Sequence, residues 1–239
     1  HALRPGSRRE AVIALEFAQT HGYDARILTW DHDNPVSGLQ EKARKARYGL
    51  LGQACREMGI KYLVTAHTED DQAETLLMRY DRKTDWRGAA GMADVTYAPL
   101  WPELAGVSIC RPMLEISRAA LRDYNTRHDL AWCEDPGNEN LDFSRIRARK
   151  HLAVRPKLRR HLLETARDLF RDKCEEYEQF RKELESWTFG WAGDVKCPHM
   201  PPNELLMMVL RCAAGQAGDI NRKKLLALRR NWMRGDSDG

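Results

Sequence analysis

Apolar and polar positions in the first part of the chain predict strands that alternate with helices. Short apolar runs at residues 25–30, 61–66 and 107–110 are bounded by turn-forming residues, as strands are. Longer runs, at residues 39–58 and 72–79, carry apolar residues at helical spacing. Strands that alternate with helices favour a parallel sheet covered by helices. The predicted fold class is α/β, a Rossmann-like parallel sheet with flanking helices.

The pattern changes near Val154. From Leu158 to Trp187, apolar residues recur at helical spacing between charged ones, which predicts one long amphipathic helix or two in sequence. Two shorter helical runs follow. We therefore predict a first domain at residues 1–153 and a small all-helical domain at residues 154–239. Between strands of the first domain, the glycine-containing residues 81–92 predict a mobile surface loop.

The composition indicates the broad class of protein. Of the 239 residues, 42% are hydrophobic and 31% are charged, as in soluble globular proteins. No apolar run approaches the roughly 20 residues that cross a membrane. The six cysteines include no Cys-x-x-Cys pair and are typical of reduced thiols. We expect a cytoplasmic protein without a membrane partner; the sequence leaves the oligomeric state open, with a homodimer as one option.

An acidic cluster begins where the strand at residues 61–66 passes into a helix. Asp70, Asp71 and Glu74 are three or four residues apart, so they share one helix face. In open α/β sheets, ligands bind beyond the carboxyl ends of the strands. Such carboxylates suit a cationic ligand, a metal ion or both. The alternative is that acids in a first turn only stabilise the helix, with Thr68 and Asp71 as a capping box.

A basic block occupies residues 143–163, which contain eight Lys or Arg and no acidic residue. The whole chain carries a formal charge of only +4, so this positive charge is local and suits a phosphate-rich partner. On an extended segment Arg145, Arg147 and Arg149 would share one side, whereas on a helix they would be spread. The alternative is a solvated face, or arginines that pair with acids elsewhere in the fold.

Several segments, in order from residue 1 to about 155, resemble the tRNA(Ile)-lysidine synthetases, which are N-type ATP pyrophosphatases of the PP-loop superfamily. The most specific is His-x-x-Asp-Asp-Gln-x-Glu-Thr at residues 67–75. The basic segment, with its Arg-x-Arg-x-Arg pattern, is moderately specific. The matching segments are residues 1–7, 38–48, 67–75, 88–92, 111–118 and 134–150.

The chain departs from that family at its most characteristic motif. The Ser-Gly-Gly-x-Asp-Ser loop that grips the phosphates of ATP does not occur in this sequence. Glycine-rich loops hold phosphates because their backbone N–H groups can approach closely. We therefore expect a fragment that lacks the first strand, phosphate loop, first helix and second strand. Such a fragment would have an incomplete sheet and would not cleave ATP by itself.

The resemblance implies a ligase that joins L-lysine to C2 of the wobble cytidine in tRNA(Ile), using ATP with Mg²⁺ and releasing AMP and pyrophosphate. It also implies roles for individual residues, although His67 could equally be a structural histidine. The implied sets are His67, Asp71 and Arg47 for catalysis, Asp71 and Glu74 for lysine, Arg44 and Arg47 for ATP, Asp70 and Asp71 for the metal, and Arg145, Arg147, Arg149 and Lys150 for tRNA.

The sequence is also compatible with two other functions. One is tRNA thiolation by a related PP-loop enzyme, although thiolating relatives often use Cys-x-x-Cys pairs and this chain has none. The other is a non-catalytic fragment that binds RNA through the basic block.

Overall fold

The sheet in the first part of the chain has three strands, β1 (Tyr62–Val64), β2 (Val95–Tyr97) and β3 (Ser108–Cys110), in the order β1-β3-β2. β1 and β3 are parallel, with Leu63 opposite Ile109, and β2 pairs with β3 in the antiparallel direction. Parallel neighbours need a crossover connection, which here begins with the helix that follows β1. The predicted α/β class is confirmed, although the described sheet is mixed and β2 was not predicted.

This computed structural model describes residues 6–31, 38–99, 102–132, 144–191, 194–214 and 222–235. The chain divides into two compact units, His1–Arg167 and Asp168–Gly239. The division falls inside a long helix, whereas the sequence pattern placed a domain boundary near Val154. The helices are α1 (Ser7–Thr20), α2 (Leu39–Glu57), α3 (Glu69–Asp81), α4 (Trp86–Ala89), α5 (Arg118–Arg127), α6 (Ser144–Ala153), α7 (Pro156–Leu184), α8 (Asn203–Ala214) and α9 (Arg222–Gly235).

Two apolar clusters hold the first unit together. The first joins α2 to the sheet through Tyr48, Cys55, Leu104, Val107 and Ile109, with Leu63 packed against them. The second joins α3 to α6 and to the start of α7, through Ala73, Leu76, Leu152, Leu163 and Ala166. Because apolar burial draws α3 and α6 together, the acidic start of α3 lies beside the basic residues of α6.

The predicted strand at residues 25–30 is wrong for the described structure. These residues follow α1 as irregular backbone, and no ladder joins them to another described segment. A strand requires hydrogen bonds to a neighbour, and an apolar run alone does not supply one. In α1, the apolar side chains of Val12, Ile13 and Phe17 are each about 40% exposed.

The predicted mobile loop at residues 81–92 contains α4 and lies against α3. The side chain of Gln72 donates to the carbonyl of Met92 (2.9 Å) and accepts from its N–H (2.8 Å). Gly91 has a φ of +76°, and a Cβ atom there would lie 2.8 Å from the Gln72 amide. Gly91 therefore provides both the backbone conformation and the close approach.

Arg79 holds the same segment from the next turns of α3. Its guanidinium donates to the carbonyls of Gly88 (2.8 Å) and Gly91 (2.9 Å). Burial lowers the pKa of Arg79 below its ordinary value. Two long polar side chains of α3 thus fix the segment that its glycines alone would leave flexible.

The second unit contains the end of α7, helices α8 and α9, and two short antiparallel strands, β4 (Thr188–Phe189) and β5 (Val195–Lys196). Its core forms around Phe180, Trp187 and Leu205. The expectation of an all-helical region is corrected by this strand pair. None of the helices in the described part of the chain is both long and apolar enough to cross a membrane.

Candidate active site

The acidic cluster lies just beyond the carboxyl end of β1, at the start of α3. Thr68 is the N-cap of α3, and its hydroxyl accepts a hydrogen bond from the Asp71 N–H (3.3 Å). In return, Oδ2 of Asp71 accepts from the N–H of Thr68 (2.8 Å) and from its hydroxyl (2.7 Å). The capping box proposed as one reading of the sequence is present. One carboxylate oxygen of Asp71 is therefore used to start the helix.

Glu74, one turn further along α3, is buried among arginines. Its side chain is 2% exposed, and Oε2 accepts from Nε of Arg145 at 2.9 Å. Oε1 accepts from Nε of Arg149 at 2.7 Å and lies 3.5 Å from Nη2 of Arg118. Both oxygens of the carboxylate are thus occupied by guanidinium groups from α5 and α6.

The second oxygen of Asp71 contacts two of the same arginines. Oδ1 lies 3.2 Å from Nη2 of Arg145 and 3.3 Å from Nη2 of Arg118. Burial by itself would raise the pKa of Asp71, but the hydrogen bonds from Thr68 and the charges of Arg145 and Arg118 outweigh it. The net result is a pKa below the ordinary value. Asp71 is therefore held ionised at neutral pH.

The first two acids of α3 have a separate partner. Nη2 of Arg159, in α7, lies 2.6 Å from Oε2 of Glu69 and 3.4 Å from Oδ1 of Asp70. Oδ2 of Asp70 accepts the backbone N–H of Arg118 at 2.6 Å. Asp70 thereby caps the start of α5 from outside that helix.

These contacts pair the acidic cluster with part of the basic block. Arginines of α5, α6 and α7 contact the carboxylates of Glu69, Asp70, Asp71 and Glu74 at the start of α3. Arg145, Arg149 and Arg159 of the basic block pair with acids of α3. This is the alternative in which arginines of the block pair with acids elsewhere in the fold. The assignment of lysine to Asp71 and Glu74 stays a prediction, and it now requires an arginine to move.

The predicted metal ligands are engaged by other partners in this arrangement, and magnesium binding stays a prediction. Mg²⁺ needs carboxylate oxygens that can turn toward it. Asp70 and Asp71 instead direct their oxygens to arginine and backbone donors. Among the described residues there is no group of three or more His, Cys, Asp or Glu side chains that could hold a metal.

His67 lies between the strand and the acidic helix. Its Nδ1 is 2.9 Å from the hydroxyl of Thr65, and that hydroxyl also lies 3.5 Å from the carbonyl oxygen of Cys110. The tautomer of the ring decides whether Nδ1 donates or accepts in the shorter contact. Burial lowers the pKa of His67 below its ordinary 6.5; Asp71 opposes the shift, and nearby arginines add to it.

Those arginines form a positive environment around a neutral imidazole. Arg111, Arg145 and Arg44 each lower the pKa of His67 by their charge. Arg44 also stacks on the ring of Tyr48, with 4.9 Å from the guanidinium carbon to the ring centroid. Arg44, predicted as an ATP contact, therefore belongs to this group of charges.

Arg47, the other predicted ATP contact, lies in different surroundings. It lines a cavity of about 450 Å³ formed by α1, residues 25–30 and the middle of α2. The remaining lining of this cavity is mostly apolar, including Leu15, Leu28 and Leu51. Arg44 and Arg47 therefore have different neighbours, although they are only three residues apart on α2.

The four predicted tRNA contacts divide into two sets, because residues 144–153 form a helix. Arg145 and Arg149 are partly buried and contact α3, as described above. Arg147 and Lys150 are exposed. The structure therefore selects the helical alternative, in which the arginines of the basic block face different ways.

Two further arginines of the site, Arg111 and Arg118, lie in residues 111–118, one of the segments that resemble the lysidine synthetases. Arg118 follows the N-cap Ser117 and contacts Asp71 and Glu74. Arg111 follows β3 and is 8% exposed; its Nη1 donates to the carbonyl of Ala93 (2.6 Å) and the hydroxyl of Thr96 (3.0 Å). Within the described residues, Nε of Arg111 has no hydrogen-bond partner. Burial lowers its pKa below the ordinary value.

Comparison with known proteins identifies the family of the chain. A family model described as a PP-loop domain matches residues 1–156. The chain belongs to the PP-loop family. Curated relatives include the proteins named tRNA(Ile)-lysidine synthase from Brucella ovis and Brucella canis, each 43% identical over 156 residues. Each match covers 64% of this chain and 34% of the relative, so the chain spans about a third of the relatives' length.

A solved structure supports the PP-loop fold. The U34-tRNA thiolase NcsA from Methanococcus maripaludis, solved with its [4Fe-4S] cluster, superposes with a TM-score of 0.52 at 16% identity. The match covers 70% of this chain and 58% of that one. At this level of identity the likeness shows a shared fold.

Proposed function

We propose that this chain belongs to an ATP-dependent ligase that acts in the cytoplasm. The enzyme joins L-lysine to C2 of the wobble cytidine of tRNA(Ile). The products are lysidine, AMP and pyrophosphate. The observation that carries the proposal is the 43% identity, over 156 residues, to proteins named tRNA(Ile)-lysidine synthase. Membership of the PP-loop family supports the use of ATP.

The charges around His67 suit a phosphate-bearing substrate. Arg44, Arg111 and Arg145 act on the imidazole, and Asp71 is the acid that opposes them. Guanidinium groups bind phosphate oxygens through paired N–H donors and keep their charge at any physiological pH. Transfer of a nucleotide releases pyrophosphate, whose developing negative charge such groups would stabilise. In this proposal the imidazole of His67 takes a proton from the attacking amine.

For lysine, Asp71 is the better of the two predicted carboxylates. Its side chain is 18% exposed, against 2% for Glu74. An ammonium group could replace one guanidinium at Oδ1 of Asp71 while Oδ2 continues to cap α3. Glu74 would then act by holding Arg145 and Arg149 in place. Arg47 has no geometric support for contact with this site, and its catalytic role stays a prediction.

The test is a transfer assay with the protein translated from its complete gene. The protein is incubated with ATP, radiolabelled lysine and unmodified tRNA(Ile). We expect label in the tRNA and equal amounts of AMP and pyrophosphate, with no sustained turnover when lysine is left out. Equal turnover with arginine in place of lysine would reject the substrate assignment. Mass spectrometry of the digested tRNA distinguishes a lysine adduct from a thiolated nucleoside, the predicted alternative.

The role of Asp71 is tested in the same assay. Asp71→Asn should raise KM for lysine more than KM for ATP, because the ammonium loses its counter-charge. A matched control is Asp123→Asn in α5, where both partners of the ion pair with Arg127 are more than 60% exposed. Equal KM for lysine in Asp71→Asn and the control would remove Asp71 from the substrate site.

A further inference from the structure

The basic residues of α6 lie on two faces with different surroundings. An α-helix turns about 100° per residue, so Arg147 lies roughly 200° around the axis from Arg145. Arg145 and Arg149 share the face that contacts the acids of α3. Arg147 and His151 are four residues apart and share the other. Arg145 and Arg149 are therefore paired with acids of α3, whereas Arg147 and His151 line a different part of the surface.

That second face borders a groove between α3 and α6, which we call the α3–α6 groove. Its volume is about 340 Å³, and it lies at the far end of α3 from the acidic cluster. Leu77 and Met78 contribute apolar surface, and Ser144 contributes the first residue of α6. The titratable side chains that line the groove are Asp81, Arg82, Arg147 and His151.

The balance of donors and charges in the groove favours an anion. Two guanidinium groups face one carboxylate, and the imidazole of His151 adds another donor. Arg82, Arg147 and His151 are all exposed, so an incoming ligand can reach them. Exposed Lys150, one turn from Arg147, extends the positive surface along the helix.

We propose that the α3–α6 groove binds a backbone phosphate of the RNA, with Arg147 and Arg82 as its principal donors. The choice of RNA rests on the proposed function. This assignment separates two roles within the basic block. Arg145 and Arg149 fix α6 against the acids of α3, and Arg147 with Arg82 contacts the nucleic acid. Neither Arg82 nor His151 was implicated by the sequence.

The experiment measures binding of the 239-residue chain to labelled tRNA(Ile) transcript by fluorescence anisotropy over a range of salt concentrations. The slope of log K against log salt is negative, and each lost phosphate contact should reduce its magnitude by about 1. Arg147→Ala and Arg82→Ala are each expected to show that change, and the double variant a change of about 2. Arg147→Lys keeps the charge and should retain the slope.

Removal of the negative charge in the groove is a sharper test. Asp81→Asn removes the acidic lining residue, so binding of the RNA should become tighter. Arg127→Ala, on the exposed surface of α5, removes one positive charge outside the groove and should leave the slope unchanged. Thermal unfolding of each variant, expected to match the wild type, checks that the change is confined to binding.

The outcomes separate this proposal from the proposed function. A wild-type slope in Arg147→Ala and Arg82→Ala would overturn the groove assignment, even if lysine is transferred to tRNA. Equal weakening by Arg127→Ala, weaker binding in Asp81→Asn, or no binding by the wild-type chain would overturn it as well. If the groove variants weaken binding but no lysine is transferred, the groove stands and the proposed reaction falls.

Discussion

The ion pairs of Glu74 lead to a stability prediction that the variant Glu74→Gln tests. The substitution keeps the size of the side chain and removes its charge. The carboxylate is 2% exposed and accepts from Nε of Arg145 at 2.9 Å and from Nε of Arg149 at 2.7 Å. In the variant one of the two oxygens becomes an NH₂ group, which faces another donor and cannot accept its hydrogen bond.

The magnitude follows from the burial of the partners. Removal of one member of a fully buried ion pair costs about 3–5 kcal/mol, and a hydrogen bond to a charged group contributes about 1.5–3 kcal/mol. Here the arginine side chains are 28–40% exposed, so water can hydrate them once the carboxylate is gone. We therefore expect the free energy of unfolding to fall by about 2–3 kcal/mol. For a chain of this size that corresponds to a Tm lower by roughly 5–10 °C.

Thermal unfolding followed by circular dichroism measures the effect. Asp123→Asn serves as the control, because it also removes one carboxylate from an ion pair with arginine, but with both partners exposed. An exposed pair contributes about 0–1 kcal/mol. A Tm for Glu74→Gln within the range of the control would refute the inference that Glu74 is an internal counter-ion. It would return Glu74 to the candidates for a direct lysine ligand.

Three further predictions concern the same region. Arg79→Met removes two hydrogen bonds to the carbonyls of Gly88 and Gly91. Amide hydrogen exchange of residues 86–92 should therefore become faster, while α3 stays protected. Unchanged exchange would show that other contacts hold the segment. Thr68→Ala should lower the free energy of unfolding by about 0.5–2 kcal/mol through loss of the N-cap, and Thr68→Ser should restore it in chemical denaturation. Because the pKa of His67 is lowered in the folded state, the unfolded chain binds the proton first as pH falls below the ordinary 6.5, and stability should decline there. His67→Asn should flatten the stability profile between about pH 5 and 8, and an unchanged profile would contradict the shift.

Local signals in the sequence were sufficient for the elements around the site. The capping box at Thr68, the helix after it and the strands at 62–64 and 108–110 are set by residues a few positions apart. The strand predicted at residues 25–30 failed because a strand also needs a neighbour, which an apolar pattern does not specify. A local sequence pattern therefore predicts a helix or strand reliably only when its hydrogen-bond partners are close in sequence.

The ion pairs between α3 and α6 could not be predicted from local patterns either, because the paired residues are far apart in sequence. Glu74 and Arg149 are 75 positions apart, and spacing within either segment does not indicate that the two meet. The acidic cluster and the basic block therefore looked like two binding surfaces. Their burial against each other follows from the apolar cluster that packs α3 on α6 and α7. The loop at residues 81–92 was misjudged similarly, since Gln72 and Arg79 hold it from a different element.

The ion pairs at the start of α3 also affect how the chain folds as it leaves the ribosome. Glu74 is translated 71 residues before Arg145, and Glu69 is translated 90 residues before Arg159. Until those arginines are added, neighbouring carboxylates repel one another and remain hydrated. Contacts between distant positions form late because a long loop must close first. The first unit should therefore reach its native state only after the beginning of α7 has been synthesised, and a nascent chain stalled before Arg145 should expose α3 to proteases.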